Sequence, residues 1–279
     1  MRLSFIIILA IATTVVAGAS PSAVDVKKIW DAGEHNAFTD LAYCKDMWYC
    51  VFREAAGHVK GDGGVRIITS PDGDSWTSRA LLQETGVDLR DPKICVTPDD
   101  KLMITMGGSY YRDGKLVGRR PRVSFSTDGR AWSNPTPVCR DGDWLWRVTW
   151  HGDTAYGASY SGPVADRPEW ALTLMRSKDG LDWQPVTEMA ASGKPNETTL
   201  RFRPDGVMLA LIRREEESRN AFFGESKPPY TEWRFNELNC RIGGPNFILL
   251  PDGNMWAGGR LYGETSKTAL GPQFRRPFG

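Results

Sequence analysis

A short motif, Ser-x-Asp-Gly-x-x-Trp, occurs three times in the chain at nearly even spacing. The copies begin at Ser70, Ser126 and Ser177, and a degenerate fourth copy that lacks Asp-Gly runs from Ser226 to Trp233. Asp-Gly favours a tight hairpin turn, because Gly tolerates a positive φ and Asp bonds to nearby backbone N–H groups. The period of about 50 residues predicts a series of structurally similar units.

A second repeat alternates with the first and consists of two extended runs joined by a short polar turn. Its five copies span residues 40–53, 91–107, 147–160, 197–213 and 245–260. Such segments are typical of antiparallel hairpins. One hairpin plus the two strands around each Asp-Gly turn gives four strands per unit, which is the size of a propeller blade. The sequence therefore predicts an all-β fold, a β-propeller of four-stranded blades, with about five blades visible.

Composition narrows the classes of function. The 279 residues include 35 Lys and Arg against 34 Asp and Glu, so the chain lacks the positive charge on which non-specific nucleic-acid binding depends. We therefore expect no nucleic-acid partner. Hydrophobic residues make up 41% of the chain, which favours a large core over intrinsic disorder.

The N-terminal residues predict export. A basic residue, an apolar run and three small residues ending at Ala19 form the pattern of a cleaved secretory signal peptide, with a short signal anchor as the alternative. The predicted organisation is a signal peptide over residues 1–19 and a propeller domain over residues 20–279. We expect the mature protein to be secreted or periplasmic, monomeric and not bound to a membrane.

No cofactor or metal motif stands out. The chain has three histidines and five cysteines, and the spacing of the cysteines matches neither a disulfide framework nor a metal site. We expect no cofactor and no bound metal.

Ionisable residues recur at one place in the repeat. In a four-stranded blade, the start of the innermost strand and the end of the second strand share one face of the disk, and both hairpin turns lie on the other. The residues at the open end of the inner hairpin, on the first of these faces, are Asp40, Arg53, Glu54, Arg90, Asp91, Arg147, Glu197, Arg213 and Arg260. We expect them to converge around the axis, either as a binding site or as Arg–carboxylate pairs that link blades. Because guanidinium groups bind planar oxyanions well, the favoured partner is a carbohydrate with an acidic group.

Two features resemble the sialidase (neuraminidase) family. Ser-x-Asp-Gly-x-x-Trp is the short form of the Asp-box, or BNR repeat. The stretch from Pro195 to Arg213 resembles the sialidase segment in which Asn-Glu opens a strand, Asp-Gly follows and Arg closes the hairpin. The resemblance implies a six-bladed propeller with exo-α-sialidase activity. It also implies that Glu197 polarises a tyrosine nucleophile and that Arg213 is one of three arginines that bind the sialic acid carboxylate.

The remaining site residues are predicted from their position in the repeat. Arg53 and Arg260 are expected to complete the arginine clamp. The full set expected to bind substrate is Arg53, Arg90, Asp91, Arg147, Arg213, Arg260 and Trp146. Asp40 is the first candidate for the acid/base and Asp62 the second, although Asp62 also fits a solvated Gly-rich turn. Trp146 fits a sugar-stacking role and a core role equally well.

The chain departs from the family in two places. Sialidases open their first inner strand with an aromatic-Arg-Ile-Pro motif, whereas this chain has Phe38-Thr39-Asp40-Leu41 there. No tyrosine has a recognisable nucleophile context, and Tyr262 comes soon after Arg260. At about 50 residues a blade the chain holds five blades, so it is either truncated before a sixth or a five-bladed relative. The weak strand pattern after Tyr262 favours truncation.

Three functions remain open on this basis. The leading one is a secreted sialidase-like glycoside hydrolase that removes terminal acidic sugars from glycans. The second is a catalytically inactive propeller that binds glycans through the same face. The third is an Asp-box hydrolase with another substrate, using two carboxylates drawn from Asp40, Asp91 and Glu197.

Overall fold

The computed structural model describes residues 26–59, 62–162 and 169–262. The predicted signal peptide and the residues after Tyr262 lie outside these ranges. Within them the secondary structure is entirely β, in eighteen strands. The described part of the chain contains no helix long and apolar enough to cross a membrane.

Four sheets each contain four antiparallel strands in sequential order, and each forms one blade. Blade 1 consists of β1 (His35–Cys44), β2 (Met47–Ala55), β3 (Gly64–Ser70) and β4 (Thr77–Leu82). Blade 2 consists of β5 (Asp88–Val96), β6 (Leu102–Arg112), β7 (Lys115–Ser126) and β8 (Thr136–Pro137). Blade 3 consists of β9 (Asp143–His151), β10 (Thr154–Ser161), β11 (Ala171–Ser177) and β12 (Gln184–Glu188).

Blade 4 and a fifth, two-stranded sheet follow along the chain. Blade 4 consists of β13 (Pro195–Phe202), β14 (Met208–Arg214), β15 (Phe222–Ser226) and β16 (Arg234–Glu237), and the fifth sheet of β17 (Ile242–Leu249) and β18 (Met255–Leu261). The predicted propeller of four-stranded blades is therefore confirmed. The fifth predicted hairpin coincides with β17 and β18.

The three Ser-x-Asp-Gly-x-x-Trp segments connect the third and fourth strands of blades 1 to 3. In the first, the Gly73 N–H donates to Ser70 Oγ at 2.8 Å, and the N–H groups of Asp74 and Ser75 both donate to Asp72 Oδ1 at 2.8 Å. The Trp76 indole N–H donates to the Gly73 carbonyl at 2.9 Å. The other two segments repeat the serine and aspartate contacts. The motif is thus a self-contained turn, which explains its regular spacing.

The blades are arranged around a common axis. Contacts join successive inner strands, β1 to β5, β5 to β9, β9 to β13 and β13 to β17. Apolar side chains fill the spaces between blades, as between blades 3 and 4, where Trp146, Leu172, Leu200 and Met208 belong to one buried cluster. The inner strands therefore carry the residues that can meet at the axis.

Every inner strand is interrupted by a β-bulge at the same register. At each bulge two residues of the inner strand face one residue of its partner, and the pairs are Phe38–Thr39, Asp91–Pro92, Trp146–Arg147, Asn196–Glu197 and Gly244–Pro245. Bulges bend a strand and redirect its side chains, and they are common beside functional sites. Four of the predicted site residues lie at these bulges, namely Asp91, Trp146, Arg147 and Glu197.

Candidate active site

Asp91 lies at the bulge of β5 with a left-handed backbone, φ 48°. It is partly buried beside the axis. Burial raises the pKa of its carboxyl group, and the nearby charge of Glu197 raises it further, while Lys93, Arg90 and Arg53 act in the opposite direction. Asp91 and Glu197, from blades 2 and 4, are therefore close enough for their charges to interact. A carboxyl group with a raised pKa suits a general acid.

Glu197 lies at the bulge of β13 and accepts hydrogen bonds at both oxygens. Arg213 Nη1 is 2.6 Å from Oε1, and the N–H of Gly244 in the fifth sheet donates to Oε2 at 2.7 Å. The side chains of Glu197 and Arg213 are each 15% exposed, so the pair is largely shielded from bulk solvent. We call the region around Asp91, Glu197 and Arg213 the axial pocket. Arg213 also pairs with Glu215, whose other oxygen accepts from Arg241 at 2.5 Å. Sequence reasoning placed Glu197 and Arg213 together, and the structure does the same.

Two tyrosines border this pocket. Tyr160 of β10 is buried, and burial raises the pKa of its hydroxyl well above the ordinary value, with Glu197 and Asp91 adding to the effect. The guanidinium of Arg119 lies over its ring at 5.3 Å. Tyr262 accepts hydrogen bonds from Arg260, including one from Nε at 2.8 Å, and its ring lies 4.0 Å from the Arg241 guanidinium.

Asp40, the first candidate for the acid/base, lies in a buried ion pair. Its two oxygens accept from Arg147 Nη1 and Nη2, both at 2.8 Å, and Oδ2 also accepts from the Ile94 N–H at 2.9 Å. Asp40 comes from blade 1, Arg147 from blade 3 and Ile94 from blade 2. Both side chains are almost fully buried. This arrangement favours a structural role for Asp40 and Arg147, the alternative role foreseen for the charged residues.

Arg53 and Arg90 share one buried carboxylate. Arg53 Nε is 2.7 Å from Asp88 Oδ1, and Arg90 Nη1 is 3.0 Å from Asp88 Oδ2. Arg53 is fully buried, and its Nη1 also donates to the carbonyl of Gly57. As folded, these two arginines connect blades 1 and 2 and do not present a free guanidinium to a ligand.

The expected equivalence of Arg53, Arg213 and Arg260 is wrong by one residue. Arg53 pairs with Ala37 and Arg260 with Gly243, in each case the residue just before the bulge. In blade 4 that register belongs to Arg214, which pairs with Pro195, while Arg213 lies opposite the bulge itself. Neighbouring residues of a strand point to opposite faces. Arg213 therefore reaches the pocket, whereas Arg214 is buried against Glu217 and Glu237.

The other predicted residues lie in three different environments. Arg260 is exposed and bonds to Tyr262. Asp62 is exposed on the loop after β2, where its Oδ2 accepts from the Gly86 N–H at 2.8 Å. Trp146 is 4% exposed and lies beneath the ammonium of Lys93, 4.3 Å from its ring, which favours its core role.

Several residues of the pocket were missed by the sequence analysis. They are Lys93, Tyr160, Glu215 and Arg241, whereas Tyr262 was noted only for its position soon after Arg260. Lys93 follows the Asp91–Pro92 bulge by one position, and Glu215 and Arg241 flank strand ends. The charge of Lys93, Glu215 and Arg241 was their only available signal, and Tyr160 had none, because a bulge has no sequence pattern that would have shown which way they point.

The described residues contain no group of three His, Cys, Asp or Glu side chains placed to hold a metal ion. A cleft of about 760 Å³ lies on the opposite face of the disk, among the Ser-x-Asp-Gly-x-x-Trp turns, and its lining includes Trp132, Trp150 and Lys178. It shares no residue with the axial pocket. Carboxylates and arginines come together at the axial pocket. We therefore place the candidate site there.

No family model and no curated protein matches the chain. Solved structures do. A protein of unknown function from Dyadobacter fermentans is 17% identical, with a TM-score of 0.69 over 80% of this chain and 74% of that one. An α-L-arabinanase of Penicillium chrysogenum, solved with arabinobiose, is 14% identical, with a TM-score of 0.66 over 81% of this chain and 75% of its own.

A sialidase of Trypanosoma rangeli, solved with sialic acid, is 12% identical, with a TM-score of 0.59 over 80% of this chain and 43% of its own. The fold is that of the sialidase and arabinanase propellers. At these identities the likeness establishes the fold alone. What the axial pocket does must be argued from its own residues.

Proposed function

We propose that the protein is a glycoside hydrolase in which Asp91 and Glu197 are the two reacting carboxylates. The observation that carries the proposal is the contrast between their environments. Burial raises the pKa of Asp91, whereas Glu197 accepts from Arg213 and from the Gly244 N–H. Two carboxyl groups in different environments, one of them a carboxyl whose pKa is raised by burial, are typical of glycosidases.

The two residues take different parts in the reaction. Asp91 gives its proton to the glycosidic oxygen as the bond to the anomeric carbon breaks, so the leaving sugar departs as an alcohol. Glu197 faces the developing positive charge on the sugar ring. It either attacks the anomeric carbon or removes a proton from the water that does so. In both cases one water is consumed and two sugars are released.

The charges around the pocket favour a sugar without a carboxylate. Among the described residues, Arg53 and Arg90 are paired with Asp88, Arg147 with Asp40, and Arg213 with Glu197 and Glu215. An acidic sugar bound by any of these four arginines would have to replace its partner and leave a buried charge behind, which is costly. A neutral sugar such as an arabinan needs no free arginine clamp. The arabinobiose bound by the Penicillium neighbour is a ligand of this kind.

An exo-α-sialidase remains the second candidate, and one observation favours it. The Tyr262 hydroxyl accepts a hydrogen bond from Arg260 and lies near Arg213, which in turn pairs with Glu197. A tyrosine beside a glutamate–arginine pair fits the sialidase resemblance. Arg260 has no carboxylate partner among the described residues and could bind that of a sialic acid.

Hydrolysis by the mature chain, residues 20–279, tests both candidates. We expect release of arabinose from arabino-oligosaccharides, and a loss of at least about 100-fold in kcat for Asp91→Asn and for Glu197→Gln, with unchanged folding. Release from a methylumbelliferyl sialoside instead would select the sialidase. Sugar binding without turnover in the folded wild type would contradict both and leave the inactive glycan-binding propeller. Export through the predicted signal peptide stays a prediction.

A further inference from the structure

Lys93 is a buried lysine at the axis that the proposed mechanism does not use. The residue is 6% exposed and lies next to the bulge that carries Asp91. Lysines are rarely buried without a specific partner, because the ammonium group loses its hydration. The partners of Lys93 therefore show what its charge does here.

The Lys93 ammonium closes on the backbone of its own bulge. Its Nζ donates to the carbonyl of Asp91 at 3.3 Å and to the carbonyl of Pro92 at 3.1 Å, and it lies 4.3 Å from the centre of the Trp146 ring. Pro92 has no N–H with which to secure the strand, and Asp91 has a left-handed φ of 48°. The lysine thus supplies the contacts that hold the aspartate in this unusual conformation.

The charges around Lys93 come from four inner strands. Asp91 and Glu197 are acidic groups of the pocket, and Asp40 and Arg147 form the buried pair beside it. Burial lowers the pKa of Lys93, Arg147 lowers it too, and the three carboxylates raise it. Around Asp91 the charged groups are Lys93, Glu197, Arg90 and Arg53. Arg90 and Lys93 lie on either side of the bulge. The Lys93 side chain donates to the bulge carbonyls, whereas the Arg90 side chain donates to His58 and Asp88.

We propose that Lys93 is a positioning residue that fixes the Asp91 bulge through two carbonyl groups and thereby holds a positive charge near the Asp91 carboxyl. The inference rests on the proposed function only in giving Asp91 the role of general acid. The charge of Lys93 favours the ionised form of Asp91 and burial opposes it. Removing the charge must therefore raise the pKa of Asp91.

Two variants separate the charge from the contacts. Lys93→Gln removes the charge and keeps an N–H donor for the carbonyls, whereas Lys93→Met removes both. The titration of Asp91 is followed by carboxyl ¹³C NMR, with Asp91→Asn used to assign the signal. We expect the pKa of Asp91 to rise by about 1 or more in both variants. We expect the high-pH limb of the kcat/KM profile to move upward with it, because the acid then keeps its proton to higher pH.

The contacts are tested by the height of the profile. At its optimum, Lys93→Gln should keep most of the wild-type kcat, and Lys93→Met should lose about ten-fold more, because only the latter frees the bulge. An unchanged Asp91 titration in folded Lys93→Gln overturns the inference, even if Lys93→Met does not fold. Because NMR needs no substrate, a shifted titration together with full turnover by Asp91→Asn would refute the proposed function and leave the coupling between Lys93 and Asp91 intact.

Discussion

The ion pair between Asp40 and Arg147 shows that arginine has a structural role in this protein as well as the role proposed for Arg213 at the candidate site. Both atoms of the guanidinium fork bind the carboxylate, and the pair links blade 1 to blade 3. A buried pair contributes little relative to apolar residues, but breaking it leaves an uncompensated charge. Arg53, Arg90 and Arg147 thus have structural roles, whereas Arg213 contacts a proposed reacting group.

A substitution at Asp40 tests this structural role. Asp40→Asn leaves Arg147 buried without its countercharge, so the free energy of unfolding should fall by about 3–5 kcal/mol. Denaturant unfolding at neutral pH measures the change. The matched control is Asp153→Asn, which breaks an exposed pair with Lys178 and should leave stability unchanged. Normal stability with lost turnover in Asp40→Asn would instead support its first predicted role as the acid/base.

Prediction of single site residues from the sequence succeeded where two such residues belong to the same hairpin. Glu197 and Arg213 lie on paired strands of one hairpin, so their proximity could be read from the sequence. Asp91 was chosen by position, and its proximity to Glu197 across the axis could not be seen. The choice of Arg213 was right, but its expected equivalence with Arg53 and Arg260 was wrong, because those two lie one register position away from it and neighbouring residues of a strand point to opposite faces.

At the scale of elements, the turns and the bulges differ in how visible they are. The Ser-x-Asp-Gly-x-x-Trp turn satisfies its own backbone donors within seven residues, so it has a recognisable pattern. No residue type is common to all five bulge pairs, and only Asp91–Pro92 and Gly244–Pro245 have a residue type in common. The sequence therefore predicted the scaffold face well, and it could not predict how the opposite face directs its side chains.

A pair of glycine substitutions tests the turn. Gly129 has a φ of 70°, and a Cβ at this position would collide with the ring of Tyr49 in blade 1. Gly206 has a φ of 83° and open space around it. Gly206→Ala should cost about 1 kcal/mol from the left-handed backbone alone, and Gly129→Ala about 1–3 kcal/mol more.

Thermal and denaturant unfolding of the two glycine variants provide the comparison. Equal losses of stability would mean that the turn of blade 2 does not pack on blade 1 as the structure has it. Neither substitution lies near the axial pocket, so turnover per folded molecule should be unchanged in both.

At the scale of the whole molecule, the site belongs to no single blade. Asp91 comes from blade 2, Tyr160 from blade 3, Glu197 from blade 4, and Gly244 from the fifth sheet. Repeats about 50 residues apart bring these positions together only when the blades close around an axis. Their spacing predicted the architecture and the face, because the topology of a blade fixes both. The distances across the axis depend on how the blades pack, and the repeat pattern contains no information about that.

The roles of Asp91 and Glu197 are tested most directly by the dependence of hydrolysis on the leaving group. The dinitrophenolate of a dinitrophenyl glycoside leaves without being protonated, whereas the alcohol of an alkyl glycoside leaves only when the general acid protonates it. We predict that Asp91→Asn keeps most of its activity on the first and loses at least about 100-fold on the second, and that Glu197→Gln loses activity on both. Equal losses on the two substrates for Asp91→Asn, or wild-type rates for Glu197→Gln, would contradict a hydrolytic site built on these two carboxylates.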